Sequence, residues 1–251
     1  NQAFANANGK YVAVIGHDDI WREDKIEKQI TFLEEHPDVG ICFTWIEVLG
    51  ENGVTISKEY EQLYHMMNAD NYTAENWLRC MILNKSNWAC APSACIRRSV
   101  LDKTGYYRYG LVQLQDFDLW LRILNYTSVY VLQEKLTWYR QFSRKGMNLS
   151  DLTGDKGKEN RLQHECWIIS NAIEQMSDSK FLEVFSEELR WKEAMSHEAV
   201  LCEKAFLLWN VGGSLAAPYF IDMLENAECR EILEQKYQFT LNDFYALNRQ
   251  A

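Results

Sequence analysis

Apolar residues recur with two different periods along this chain, and each change of period marks an element. Tyr11 to Ile15 (YVAVI) is an unbroken apolar run closed by Gly16, which predicts a buried strand of a parallel or mixed sheet. Beyond it, Ile26, Ile30 and Leu33 follow helical spacing between Arg22 and His36, with Pro37 as the stop. Val39 to Val48 is rich in β-branched and aromatic residues and predicts the next strand. Asn52-Gly53 signals a turn into a short strand at 54–56, and a helix is expected over 74–83. Ala91 to Ile96 predicts a strand of small residues, followed by a short helix ending near Gly105. Phe117, Trp120, Leu121 and Leu124 then fall on one face of a helix opened by Gln115-Asp116. A further strand is expected at 128–132, with Leu136 to Arg140 after it. From Asp151 the pattern changes to a loop and then helices over about 159–177, 179–210, 216–226 and 228–247, an all-α region.

Two domains are therefore expected, 1–150 with a mixed α/β sheet and 151–251 all helical. At 251 residues and 47% hydrophobic, the chain can bury a substantial core. Three prolines and twelve glycines argue against long linkers. No apolar run approaches the roughly 18 residues of a membrane span, and no signal-peptide pattern opens the sequence. Asn8-Gly9 reads as the stop of an opening helix, so an upstream segment is expected.

A net charge of −10 disfavours nucleic acid as a partner, because phosphate backbones recruit lysine and arginine. The seven scattered cysteines include only one close pair, Cys90 and Cys95, without histidines at zinc spacing. They are expected to be reduced core thiols of a cytoplasmic protein. The sequons at Asn71, Asn125 and Asn148 are read as chance matches. His164 and His197 stand alone and are read as polar residues without a ligand role.

The candidate chemistry lies at Asp18-Asp19, where the first strand leaves the sheet. Ligands of open α/β sheets bind at the carboxyl ends of strands, and paired carboxylates suit a hard divalent cation. The same pair also suits the cap of a helix beginning near Arg22. The local pattern leaves both readings open.

Taken in order, the first 150 residues resemble the family 2 glycosyltransferases of the GT-A fold. The resemblance runs through Ala7-Asn8-Gly9-Lys10-Tyr11, His17-Asp18-Asp19-Ile20-Trp21 and Lys25-Ile26-Glu27-Lys28-Gln29. It continues in Arg97-Arg98, Gly105-Tyr106-Tyr107, the stretch from Gln115 to Arg122, and Tyr139-Arg140. It implies a partial GT-A, Rossmann-like mixed sheet lacking the strands that bind the nucleotide base. It also implies an inverting enzyme of bacterial cell-surface polysaccharide synthesis. Asp18 and Asp19 would hold Mg²⁺ or Mn²⁺ against the diphosphate of a nucleotide-sugar, and Asp116 would be the general base for the acceptor hydroxyl.

The helix entrance would keep Asp116 ionised, with a helix cap as its competing role. His17, Trp21, Arg97, Arg98, Gln115, Tyr139 and Arg140 would contact donor or acceptor. Trp21 and Trp120 are candidates to stack on a sugar, core packing being favoured for Trp120. Gly16, Gln115 and Phe142 depart from the family pattern, which often has aspartate, glutamate and histidine there. The acceptor is expected to be a saccharide or lipid-linked saccharide, which would place the protein at the inner face of the membrane. An oligomer or partner bound through the C-terminal helices is the further expectation.

Two competing classes remain. One is a non-catalytic interaction module built on a degenerate glycosyltransferase domain. The other is a metal-dependent phosphohydrolase, which needs more carboxylates and histidines near the strand ends than the sequence places there.

Overall fold

A computed structural model of the chain describes residues 1–143, 148 and 155–249. The expected loop at 151–154 and most of the Asn148 sequon lie outside the described residues. The chain divides into two compact units, 1–81 with 86–165 and 82–85 with 166–251.

In the first unit, helix α1 (Gln2–Asn6) leads into strand β1 (Tyr11–Ala13), then β2 (Ile20–Trp21), α2 (Lys25–Glu35) and β3 (Val39–Leu49). Helices α3 (Glu61–Met67) and α4 (Ala74–Asn84) follow, then β4 (Cys95–Arg97), α5 (Arg98–Thr104), α6 (Gln115–Leu124), β5 (Ser128–Arg140) and α7 (Lys156–Glu165). The five strands form one mixed sheet in the order β1-β4-β3-β5-β2. Only β3 and β5 pair in parallel; β4 runs antiparallel to both β1 and β3, and β2 antiparallel to β5.

Three expectations for this sheet are corrected. The run Tyr11 to Ile15 is not an interior strand. It pairs over three residues at one edge, where only Val12 is buried and Ile15 is exposed. Residues 54–56 make a single bridge, Leu49 to Thr55, rather than a strand. The strand expected at 128–132 runs on through Arg140, bent by register shifts near Thr44 and Trp45 of its partner.

Because β1 and β2 occupy opposite edges, residues 14–19 must cross the sheet at the carboxyl ends of β3 and β5. This topology carries Asp18 and Asp19 over the strand ends. One face of the sheet is covered by α2, whose inward stripe is Lys25, Gln29 and Leu33, all fully buried. The expected stripe of Ile26 and Ile30 lies beside it, half-buried. Gln29 is stable in the interior because it donates to the carbonyls of Cys42 (2.6 Å) and Ser93 (2.9 Å). Lys25 donates to Gln29 Oε1 at 2.7 Å and lies 4.2 Å from the Trp21 ring centroid. Burial lowers its amine to about 8. On α6, Phe117, Trp120, Leu121 and Leu124 are buried as the spacing predicts, and Trp120 meets Phe43 edge-on at 5.1 Å. Trp120 is therefore a core residue.

The second unit is all helical: α8 (Trp167–Glu174), α9 (Asp178–Phe185), α10 (His197–Gly212), α11 (Ala217–Leu224), α12 (Ala227–Tyr237) and α13 (Leu241–Asn248). The helices expected at 179–210 and 228–247 each break once. Gln238, in the left-handed region at φ +52°, makes the second break, and Thr240 caps α13. Phe206, Phe220, Met223, Leu233 and Phe244 form the unit's core. Buried Glu203 is satisfied by the N–H groups of Arg190 and Trp191 and by the Tyr237 hydroxyl. None of the seven cysteines forms a disulfide, and five are buried. No helix among the described residues is long and apolar enough to cross a membrane.

Candidate active site

Asp19 is fixed by the end of β5. Its Oδ1 accepts the backbone N–H of Arg140 at 2.9 Å. The Arg140 guanidinium donates to the carbonyls of Asp18 (2.8 Å) and Gly50 (2.7 Å), tying the crossing segment to the ends of β3 and β5. Neither aspartate caps α2. That helix starts at Lys25 with Asp24 in the cap position, so the capping alternative for the pair is removed.

The two carboxylates converge on Gly16. A Cβ placed there would lie 2.3 Å from Asp19 Oδ2 and 3.1 Å from Asp18 Oδ1. The glycine at a position where the family often has aspartate is thus the space into which the carboxylates fold. Burial, and then the charge of Asp18, raise the Asp19 carboxyl above its ordinary range, with the Arg140 N–H opposing them. Two carboxylate oxygens brought together in this way suit a divalent ion that completes its shell with phosphate and water. No cluster of three metal-ligating side chains occurs among the described residues. His17 is almost fully exposed, its Nδ1 3.6 Å from Asp18 Oδ1.

Asp116 stands in the first turn of α6, half-buried. Its Oδ1 accepts the N–H of Phe117 (2.8 Å) and its Oδ2 the Nδ2 of Asn87 (3.0 Å). It does not cap the helix, since Leu114 holds that position. Desolvation outweighs the hydrogen bonds to this carboxyl and raises it to about 6. Burial also pushes up the Cys90 thiol and the Tyr139 hydroxyl, and the charges of Asp19 and Asp116 add to both. Cys90 and Tyr139 therefore lie within electrostatic reach of both carboxylates, which puts Asp19 and Asp116 toward one end of the sheet. Beside Asp116, Gln115 Oε1 is buried with no hydrogen-bond partner among the described residues.

Other candidate residues have different duties. Arg97 pairs with Tyr11 at the beginning of β1, the opposite end from Asp18. Its guanidinium donates to the carbonyls of Val39 (2.7 Å), His36 (3.0 Å) and Leu33, and to the Tyr11 hydroxyl (2.9 Å). Arg98 donates to Gly9 O (2.7 Å) and Ala7 O. Both clamp backbone. Arg97→Ala is expected to cost about 2–4 kcal/mol, the range for stripping several charged hydrogen bonds from one site. Denaturant titration should show that loss while donor affinity of the folded protein is unchanged. Trp21 donates to Pro92 O at 2.7 Å and takes Lys25 on its ring, so it braces the turn before β4. Asp118 pairs with Arg122 and Arg108 and has a structural role.

Sequence reasoning missed Asn87, which lies in the irregular stretch before β4, where no periodicity marks an inward side chain.

Residues 1–105 match the sequence model of Glycosyl transferase family 2. An uncharacterized glycosyltransferase of Methanocaldococcus jannaschii is 28% identical over 56% of this chain and 45% of its own length. TuaG of Bacillus subtilis, described as a putative teichuronic acid biosynthesis glycosyltransferase, is 36% identical over 23% of each protein. The chain thus spans less than half the length of these relatives. The crystal structure of S. aureus TarS, residues 1–349, superposes with a TM-score of 0.49 at 15% identity, covering 94% of this chain and 69% of that one.

Proposed function

We propose that the intact protein moves a sugar from a nucleotide-sugar to an acceptor hydroxyl with inversion, in cell-surface polysaccharide synthesis. The observation that carries this reading is the pairing of two unlike carboxylate environments at one end of the sheet. Asp18 and Asp19 crowd their oxygens around Gly16, whereas Asp116 sits apart with its carboxyl raised to about 6. Asp18 and Asp19 would hold a divalent cation, Mg²⁺ or Mn²⁺, which supplies charge neutralisation for a departing diphosphate.

Asp116 would take the proton from the acceptor hydroxyl as that oxygen bonds the anomeric carbon. The bond from that carbon to the diphosphate oxygen breaks, and the nucleotide leaves with the electron pair. Attack from the face opposite the leaving group inverts the centre. Asn87 holds the base in place, and the unpartnered Gln115 Oε1 offers an acceptor for a second hydroxyl of the incoming saccharide. A lipid-linked acceptor would bring the protein to the inner face of the membrane.

Calorimetric titration of UDP-, GDP- and dTDP-sugars, with and without Mn²⁺, tests the reading on this chain and on the intact protein. Metal-dependent binding of one donor class by the intact protein is the expected result. Binding of no donor, with or without metal, would overturn it and leave the interaction module.

A further inference from the structure

Helix α6 carries Asp116 yet begins without a side-chain cap of its own, since Leu114 occupies the cap position. The three residues leading into the helix find an acceptor about fifty residues downstream. Glu165, the last residue of α7 and 5% exposed, directs its carboxylate at three consecutive N–H groups. Its Oε1 accepts from Val112 at 2.9 Å, and its Oε2 accepts from Gln113 and Leu114, both at 2.8 Å. Convergent backbone N–H groups at the positive end of a helix form a nest for an anion, and this carboxylate fills it.

We propose that Glu165 is a positioning residue for Asp116, fixing where α6 begins and therefore where the base points. The inference rests on the reading of Asp116 as the general base. Its geometry is direct: Asp116 follows Leu114 by two residues. The bonds from Asn87 and Phe117 to its carboxylate exist only while the first turn of α6 keeps its register. Without Glu165, three N–H groups lose their acceptor, the turn opens to water, and Asp116 is hydrated. A hydrated Asp116 returns toward its ordinary acidity. Nothing local distinguishes Glu165 from the neighbouring charges of α7, so the sequence alone assigns it no role.

The test compares Glu165→Ala with Glu165→Gln, which keeps the volume and one acceptor oxygen. Carboxyl NMR follows the titration of Asp116, assigned by difference with Asp116→Asn, and hydrogen exchange follows the amides of 112–114. In Glu165→Ala the amides should lose protection and Asp116 should titrate well below 6. The kcat should fall about ten- to a hundredfold, as for a misaligned catalytic group. KM for the donor should hold, because Asp18 and Asp19 sit on another segment. Glu165→Gln should fall between Glu165→Ala and the parent protein. Loss of amide protection with the Asp116 titration and kcat unchanged would reduce Glu165 to a structural brace and overturn the proposal. A moved titration in a protein that transfers no sugar would uphold the positioning role and sink the transferase reading instead.

Discussion

Asp116→Asn is expected to abolish transfer while making the protein more stable at neutral pH. The activity loss follows from the role proposed for the carboxylate, since removing a general base costs about a hundred- to ten-thousandfold in rate. The stability gain follows from its environment. The carboxyl is raised from 3.8 to about 6 in the folded protein, chiefly by desolvation. An acid with a raised folded-state pKa opposes folding once it ionises. The penalty is absent below about pH 4, grows between 4 and 6, and is complete above that. At 1.36 kcal/mol per pH unit its ceiling is about 3 kcal/mol. Asparagine escapes it and keeps the bond from the Phe117 N–H, but sets its own amide against that of Asn87, at about 1 kcal/mol. A net gain of about 1–2 kcal/mol at pH 7 remains, turning into a loss of about 1 kcal/mol near pH 4.

Thermal unfolding of both proteins across pH 4–8 measures this crossover. Rate measurements on the parent protein should show kcat falling tenfold per pH unit below about 6. Equal stability at every pH would mean that Asp116 is hydrated and unfit as a base. A rate unaffected by the substitution would remove it from the mechanism.

The legible parts of this molecule are those where side-chain chemistry repeats with the backbone period. Phe117, Trp120, Leu121 and Leu124 announced α6, and the β-branched run from Val39 announced β3. The Asp18-Asp19 pair could be read because it interrupts an apolar run at a strand end. The parts that could not be read depend on contacts distant in sequence. The inward stripe of α2 includes Lys25 and Gln29, polar residues admitted to the core because carbonyls of Cys42 and Ser93 await a donor there. Arg97 and Arg98 look like an anion site in one dimension. In three, antiparallel pairing with Tyr11 puts Arg97 at the wrong end of the sheet. The edge position of β1 was hidden for the same reason, since an apolar run does not say how many neighbours it has.

The Asp pair yields the second large effect, and Gly16→Ala is its sharpest test. Asp18→Asn or Asp19→Asn should each weaken metal-dependent donor binding by about 2–5 kcal/mol, as when one partner of a desolvated charge pair is removed. That is a loss of at least about thirtyfold in affinity. Asp19→Asn keeps an oxygen for the Arg140 N–H, so the segment should stay folded and lose only charge. Gly16→Ala removes no carboxylate. Its methyl group would stand 2.3 Å from Asp19 Oδ2 and 3.1 Å from Asp18 Oδ1, so both oxygens must move away from the shared space. Because Oδ1 of Asp19 is pinned by Arg140, the carboxylate cannot simply rotate clear. Metal-dependent binding should fall with all charges retained, and donor binding in the absence of metal should not change. Calorimetry with and without Mn²⁺ separates these effects. If Gly16→Ala binds metal and donor as the parent does, the convergence on Gly16 has no bearing on the cation, and ligands other than Asp18 and Asp19 must hold it.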